Sequence, residues 1–547
     1  MKEKPEKSYL ELGYIFGLGV ILRHDNSGTK AQHPILHRNV HSNSKVGELI
    51  FFVASAIMEH YANQRDQYLS ALSGKNIVFV SPGYEGKRFI LEKAAELGVS
   101  SIVIDSYASW TNSLLRDGTI RNLVEVDMAR SEDEIFAECV HKLALLRVEL
   151  HGICTFVELS APLTARLCDH FKLPGHSIES VALARDKHRT RKAISECPET
   201  AKLAIRNYLL TTGSEEDLLQ AAAHVRFPAV LKPVSGAASL GVQKVTCMEE
   251  LRDTYHSVTE LLSELIVANG ALDRRVRMAA DQPTSDTDDS TESGEGLDTP
   301  TAADNHSPDM FMSNVSTLSN TSVVMEEYLD GQEVDIDIVL WNKQITFCEI
   351  SDNGPTVEPY FGETWNNCPS LLPQSAQDEL CQMAHSIVTE ALGFISGVFH
   401  VEAKYTSGGQ PRLIEVNCRM GGGPIRAVHL CRSQVDLVVE QLLLSVGLPA
   451  VPVVAAEGKP CIGFVDVNAR KCGSVNTTDF LKSVTQMPNM LYCKPLIGPG
   501  QHIVGPEEGQ PSWLAEAVFT ELTPEDAAKN ALKLYEEIQT LFESHYM

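Results

Sequence analysis

The stretch 397–422, GVFHVEAKYTSGGQPRLIEVNCRMGG, constrains this chain more than any other. Two runs rich in β-branched and aromatic residues flank a Ser-Gly-Gly-Gln-Pro turn. That pattern predicts a hairpin with strands around 397–405 and 411–417. Glu415 and Asn417 are two apart on the second strand, so both side chains point to one face. Glu402 lies on the first strand, and the hairpin can bring all three side chains together. Two carboxylates plus an amide oxygen suit Mg²⁺ (or Mn²⁺), which takes few protein ligands and completes its octahedron with water and nucleotide phosphates. Arg419 follows on the same parity and can meet a phosphate as a fork. Gly421, Gly422 and Gly423 then let the backbone approach a ligand closely. Taken alone, the same residues also describe a surface hairpin with solvated carboxylates.

Three further stretches carry chemistry. In PAVLKPVSGAASLGVQK, from residue 228, Lys232 ends a buried strand. The loop from Ser235 to Val242 follows, with Gly236, Ser239 and Gly241. Such a loop can aim successive backbone N–H groups at an anion. It is not a Walker A loop, because the lysine precedes the glycines and no G-K-[ST] occurs. In MEEYLDGQE (325–333) a strand holding Glu326 ends and a turn begins at Gly331. Backbone groups of Glu327 and Leu329 could read an adenine edge there, and Glu333 could hold ribose hydroxyls. In ARDKHRTRKAI (184–194) Lys187 opens a helix and can offer charge to a phosphate. Arg191 shares its face at i,i+4. Each stretch has a plainer reading by itself: a flexible hairpin, an acidic turn, a solvated basic helix start.

The chain has 547 residues, which suggests three or four units with ample core. Residues 1–75 receive no assignment. From 76, KNIVFV, an amphipathic helix and SSIVID form a βαβ unit, so a parallel α/β domain is expected over 76–180. Residues 186–270 read as helix, strand, Gly-containing loop, strand, helix. Within 281–310 nine residues are acidic and none is Lys or Arg, with no apolar face to offset ordering entropy. Roughly 270–320 is therefore expected to be a disordered acidic insertion. Strand alternation returns in TSVVMEEYLDGQEVDIDIVLW, followed by helices at 376–392 and 434–447, a β-rich tail, and a last helix at 524–543 capped by Thr523.

Composition excludes several classes. Net charge is −26, so nucleic acid is not expected as a general partner. No run of 18 apolar residues occurs. The stretch 47–58 reads as a core helix, and no membrane association is expected. Thirteen cysteines without a C-x-x-C pair fit reduced thiols, and with no secretory pattern at the N-terminus a cytoplasmic location is expected.

Together and in this order, Lys before a helix, Lys plus Gly-rich loop, E-E-x-x-x-G-x-E and E…E-x-N-x-R resemble the ATP-grasp superfamily across roughly 76–450. The resemblance implies an α/β and α+β architecture: a Rossmann-like parallel domain (76–180), a lid (181–330), a C-terminal ATP-grasp unit with the Mg²⁺ site (331–450) and a β-rich tail (451–547). It implies ATP between lid and C-terminal unit. Lys187 and Lys232 would bind phosphate, and 235–242 would form the mobile phosphate loop. Glu326, Glu327 and Leu329 would sit at the adenine hinge, and Glu333 at the ribose. Glu402, Glu415 and Asn417 would hold Mg²⁺. Arg419 and Gly422 would stabilise the acyl-phosphate and its tetrahedral successor.

Closer resemblance is to dipeptide-forming amino-acid ligases, the carnosine synthases in particular. It rests on TFVELSAPLTARLCDHFKLPG (155–175), the E-V-N-C-R-M-G-G loop, SQVDLVVEQLL (433–443) and GFVDVNARKCGSV (463–475). Amino acids would then be the substrates, with β-alanine and L-histidine as one pair. Because Gly423 stands where a bulky residue would narrow the pocket, a sizeable acceptor is expected. A homodimer is a further expectation, since such ligases are often dimers. Glu158, His400 and His429 are candidates for the base that the incoming amine needs. Other ATP-grasp ligases, a small-molecule kinase on the same fold, or a nucleotide-binding regulatory protein without turnover remain alternatives.

Overall fold

The computed structural model describes residues 64–547, apart from 108, 129, 237–238, 269–270, 275–315, 318–321, 456–458, 488 and 507–510. The stretch 47–58 and most of the acidic segment lie outside the described residues. The edges of that segment are strands: β8 (Leu265–Ala268) and β9 (Ala271–Arg274) pair antiparallel, and β10 (Ser316–Thr317) pairs with β8. The expected insertion over 270–320 therefore takes in two strands at its ends.

Short β-branched runs build the first sheet. β1 (Asn76–Val80), β2 (Ser100–Asp105), β3 (Asn122–Glu125) and β4 (Gly152–Cys154) pair in parallel in the order β3-β2-β1-β4. β1 is buried at every position, as a strand covered on both faces must be. A second sheet has the order β5-β11-β6-β7: β5 (Asn207–Leu210), β6 (Ala229–Pro233), β7 (Gln243–Val245) and β11 (Val323–Glu327), antiparallel throughout.

The third sheet positions the site. It runs β16-β15-β12-β13-β14-β17-β21-β19, entirely antiparallel. Its strands are β12 (Gln332–Trp341), β13 (Gln344–Asn353), β14 (Trp365–Cys368), β15 (Gly397–Tyr405), β16 (Pro411–Asn417), β17 (Cys461–Asn468), β19 (Met490–Pro495) and β21 (Trp513–Glu521). A small pair, β18 (Gly473–Ser474) and β20 (His502–Ile503), stands apart. The period of two in β12 assigns its faces. Val334, Ile336, Ile338 and Leu340 enter a core with Phe399, Val401 and the helix Gln374–Ser386. Glu333, Asp335 and Asp337 point the other way. Ile336 is fully buried, so Ile336→Ala would cost about 2–5 kcal/mol.

Two sequence expectations need correction. The helix expected over 434–447 is the shorter Leu437–Ser445, and a second helix, Ile425–Ser433, precedes it where the sequence reading placed none. Gln434 turns left-handed at φ 60°, and Asp436 caps the second helix through Val438 N–H while pairing with Arg426 at 2.7 Å. The reading of 186–270 omitted β5 and the helix Glu215–Val225. Ser214 caps that helix ahead of three acidic first-turn residues, a start signal the sequence does contain.

Candidate active site

The β15–β16 hairpin forms where the sequence places it. Glu402 faces Glu415 and His400 faces Asn417 across the pair. The register slips after Glu402, leaving Ile414 as an extra residue, a β-bulge. Strict alternation would put Leu413 on the face of Glu415. The bulge instead turns Leu413 into the apolar core and keeps Glu415 on the polar face. It also frees the Ile414 carbonyl to accept from Arg191 Nη2 at 2.8 Å.

Asn417 Nδ2 donates to Glu402 Oε1 at 3.1 Å and to Glu415 Oε1 at 3.2 Å, so the three side chains converge. Lys187 Nζ lies 2.8 Å from Glu415 Oε2. Burial opposes charge on Glu415, but Lys187 outweighs it and holds the carboxyl at about 2. Burial and then the charge of Glu415 push the Glu402 carboxyl well above the usual range. Two crowded carboxylates fit a divalent cation that uses few protein ligands, and Asn417, whose amide nitrogen faces both carboxylates here, would add its oxygen after an amide flip. Among the described residues no group of three His, Cys, Asp or Glu side chains forms a metal cage.

A buried cation cluster adjoins this site. Arg191 meets both oxygens of Glu326, Nε to Oε1 at 2.8 Å and Nη2 to Oε2 at 2.9 Å. Lys232 Nζ reaches Glu326 Oε2 at 2.7 Å. All three side chains are nearly buried. Burial disfavours the Glu326 charge, yet Arg191 and Lys232 overcome it and hold the carboxyl at about 2. Burial lowers the Lys232 ammonium, with Glu326 opposing. The Glu326 side chain thus anchors two cations.

The strand end behaves differently. Glu327 N–H donates to Arg206 O at 3.0 Å, and its carboxylate pairs with Arg206 at 2.7 Å. Its N–H is engaged in pairing, whereas no backbone hydrogen bond is seen for Leu329 among the described residues. Glu333 pairs with Lys404 at 3.3 Å. In the Gly-rich loop, Ser235 Oγ donates to Arg185 O at 3.4 Å, and Val242 N–H to Ser239 O at 3.0 Å. Ser239 and Gly241 take φ of 53° and 74°, the left-handed conformation in which Gly241 has no Cβ penalty. Gly236 is open on the side a Cβ would occupy, apart from Pro233 at 3.8 Å.

Beyond the metal motif, Arg419 Nη2 donates to Asn417 Oδ1 at 3.2 Å, and Nε lies 3.4 Å from Glu158 Oε2. Arg185 Nη1 flanks Glu158 at 3.5 Å. Lys87 donates to Phe156 O at 2.6 Å. Burial, then the nearby Arg419, lower the Lys87 ammonium to about 7. Gly422 opens onto free space, whereas a Cβ on Gly423 would stand 2.7 Å from Asp466 Oδ2. Of the base candidates, His400 and His429 both bind Asp337 at 2.8 Å. Burial opposes charge on His400, but Asp337 and Asp335 raise it to about 10, which favours the charged imidazolium and disfavours a role as base.

Sequence reasoning missed Asp335, Asp337, Asp466 and Glu516, which continue the polar row across the sheet. The alternation V-D-I-D-I in β12 was a usable signal for the first two.

Comparisons with known proteins bear on the fold that carries these residues. Residues 91–175 match the ATP-grasp N-terminal domain, and residues 301–427 match the ATP-grasp domain. The chain carries the ATP-grasp fold. An L-amino acid ligase from Bacillus licheniformis superposes with a TM-score of 0.64 at 17% identity, over 85% of this chain and 98% of that one. Carnosine synthase 1 from Gallus gallus is 30% identical over 384 residues, 70% of this chain and 36% of that protein. Alanine–anticapsin ligase from Bacillus subtilis (strain 168) is 25% identical over 332 residues, 58% of each chain. The chain spans about two-fifths of the length of the carnosine synthases it matches. Lys187 and Arg191, Lys232, and the β15–β16 hairpin come from three separate segments and are linked through Glu415, Glu326 and the Ile414 carbonyl.

Proposed function

We propose that the chain is an ADP-forming ligase that joins two amino acids through an acyl-phosphate. The observation that carries this is the meeting of Glu402, Glu415 and Asn417 with Lys187 on one side and Arg419 on the other. ATP would lie between Lys232, the 235–242 loop and the 326–333 hinge. Leu329, with no backbone hydrogen bond among the described residues, and the Glu327 carbonyl would read the adenine edge, and Glu333 the ribose. Mg²⁺, held by Glu402, Glu415 and Asn417, would neutralise phosphate charge and keep the phosphates in line.

In the first step a substrate carboxylate oxygen bonds to the γ-phosphorus, and the bond from that phosphorus to ADP breaks. Lys187 and Lys232 place positive charge beside the transferring group, the positioning and charge neutralisation that phosphoryl transfer needs. In the second step the nitrogen of a deprotonated amine attacks the acyl carbon, and the carbon–oxygen bond to phosphate breaks. Arg419 and the backbone around Gly422 would face the oxyanion of the tetrahedral stage. With His400 favoured as the imidazolium and His429 bound to Asp337, Glu158 is the carboxylate left among the base candidates. Closure of 235–242 would exclude water from the acyl-phosphate.

Carnosine synthases and alanine–anticapsin ligase are named for amino-acid ligation, which supports amino acids as both substrates. The test is phosphate release with Mg-ATP across amino-acid pairs, including β-alanine with L-histidine, and Glu415→Ala as control. Release that needs a pair and vanishes in Glu415→Ala is expected. Release with a single acceptor and no amide product would point to a kinase and overturn the proposal.

A further inference from the structure

The polar row does not stop at the Mg²⁺ motif. From Asp335 it passes through Asn353, which donates to Asp335 Oδ1 at 3.0 Å, and Asn366, which donates to Asn353 Oδ1 at 2.5 Å. On the next strands Asp466 of β17 stands directly opposite Glu516 of β21. Like charges facing across an antiparallel pair destabilise it unless something offsets them. Lys494 offsets part, 3.1 Å from Glu516 Oε1, and Tyr492 donates to the same oxygen. The other oxygen, Glu516 Oε2, is buried with no hydrogen-bond partner among the described residues. Glu516 as a whole is 1% exposed. A buried carboxylate oxygen with an unmet acceptor is costly, so it marks a place where a donor belongs.

Asp466 has neither hydrogen bond nor ion pair among the described residues. Its carboxylate lies against Gly423, where a Cβ would come within 2.7 Å, one residue from the open backbone of Gly422. Gly423 takes φ 50°, so the glycine is needed both for the turn and for the acid beside it. Burial, then the charges of Glu516 and Asp466, raise the Tyr84 phenol, so its ring lies near the pair; Tyr84 meets Trp513 edge-on at 6.4 Å, and each is more than a third exposed. Exposed aromatic faces beside carboxylates suit an organic cation. The far side of Gly422 carries the opposite sign, from Arg419, Arg185 and Lys87. On that side Arg419 and Arg185 flank the single carboxylate of Glu158, whereas the β17–β21 side carries Asp466 and Glu516 against the one cation Lys494.

We propose that Asp466, backed by Glu516, forms a subsite for the cationic side chain, imidazolium or ammonium, of the acceptor amino acid. The word acceptor rests on the ligase reading above. The charge complementarity does not, so binding and turnover test them separately. An acceptor lying across Gly422 would present its amine near Arg419 and extend its side chain past Gly423 to Asp466. Neutral acceptors of equal length would leave Asp466 and Glu516 Oε2 without a donor.

The experiment uses the full chain with Mg-ADP. Calorimetry measures binding of L-lysine, L-histidine and neutral L-norleucine to the wild type, Asp466→Asn and Asp466→Glu. Dipeptide formation with β-alanine is followed with the same three acceptors. The cationic amino acids should bind tighter than norleucine by about tenfold to hundredfold, the value of charge-assisted hydrogen bonds. Asp466→Asn should erase most of that ratio and Asp466→Glu retain it. Equal affinities in the wild type, which need no variant, or an unchanged ratio in Asp466→Asn would overturn the subsite. Dipeptide formed without cationic preference overturns the subsite and leaves the ligase reading standing. Asp466-dependent binding of lysine without any product keeps the subsite and overturns the ligase reading.

Discussion

Replacing Glu326 by Gln is the sharpest test of how the nucleotide end is built. The change keeps shape and removes one charge, leaving Arg191 and Lys232 in a buried setting around a neutral amide. Three short contacts of 2.7–2.9 Å converge on this carboxylate. Breaking a buried ion pair by removing one partner costs about 3–5 kcal/mol. The carboxyl, held at about 2 against an ordinary 4.5, gives about 3 kcal/mol by the independent route of proton linkage. The sign follows from the direction. A carboxyl with a depressed folded value contributes its stability above about 4.5, and that contribution drains as pH falls toward 2. Urea unfolding of the wild type and Glu326→Gln should therefore show a gap of about 3 kcal/mol or more from pH 8 to 5 that narrows below 4.5. The affinity for ATP should fall as well, since Lys232 loses its anchor. A gap under about 1 kcal/mol at pH 7, or one that keeps its size down to pH 3, would refute the reasoning, because a solvated pair behaves that way.

Other outcomes follow from the same contacts. Glu402→Gln should lower turnover at least about a hundredfold, by analogy with the loss of transition-state charge stabilisation, and raise the Mg²⁺ needed for half-maximal rate; an unchanged Mg²⁺ dependence in a titration would contradict its place in the metal set. Gly423→Ala should cost about 1–2 kcal/mol from its left-handed backbone and weaken acceptor binding more than ATP binding, as steady-state KM values would show. Glu440 sits 1% exposed on the helix Leu437–Ser445, where burial and then Asp436 raise its carboxyl to about 8. The contribution of Glu440 to stability therefore falls as pH rises from 4.5 to 8, and Glu440→Gln should gain at least about 2 kcal/mol over the wild type at pH 8 and much less at pH 5 in thermal melts.

How much of this was legible in the sequence depended on the range of each interaction. The β15–β16 hairpin was legible because its turn and its two-residue parity are local. The bulge at Ile414 was not, since strict alternation also fits the letters and only packing of Leu413 decides. Glu326 was placed at the hinge by its motif, but its task as an anchor depends on Arg191, 135 residues earlier in the chain. Asp466 and Glu516 are isolated acids in separate strands with no spacing to connect them, and they meet only through β17–β21 pairing. The helix Glu215–Val225 is readable locally, from the Ser214 cap and its acidic first turn. The parallel sheet β1–β4 followed from short β-branched runs alternating with an amphipathic helix, a signal that needs no long-range partner.

The acyl-phosphate is the central chemical claim, and oxygen transfer tests it most directly. β-Alanine carrying ¹⁸O in its carboxylate would be incubated with Mg-ATP, L-histidine and the protein, and the released phosphate analysed by mass spectrometry. One ¹⁸O per phosphate, appearing with dipeptide and absent in Glu415→Ala, is the predicted result. Unlabelled phosphate accompanying dipeptide formation would contradict the account, because the carboxylate oxygen would then never have bonded to phosphorus.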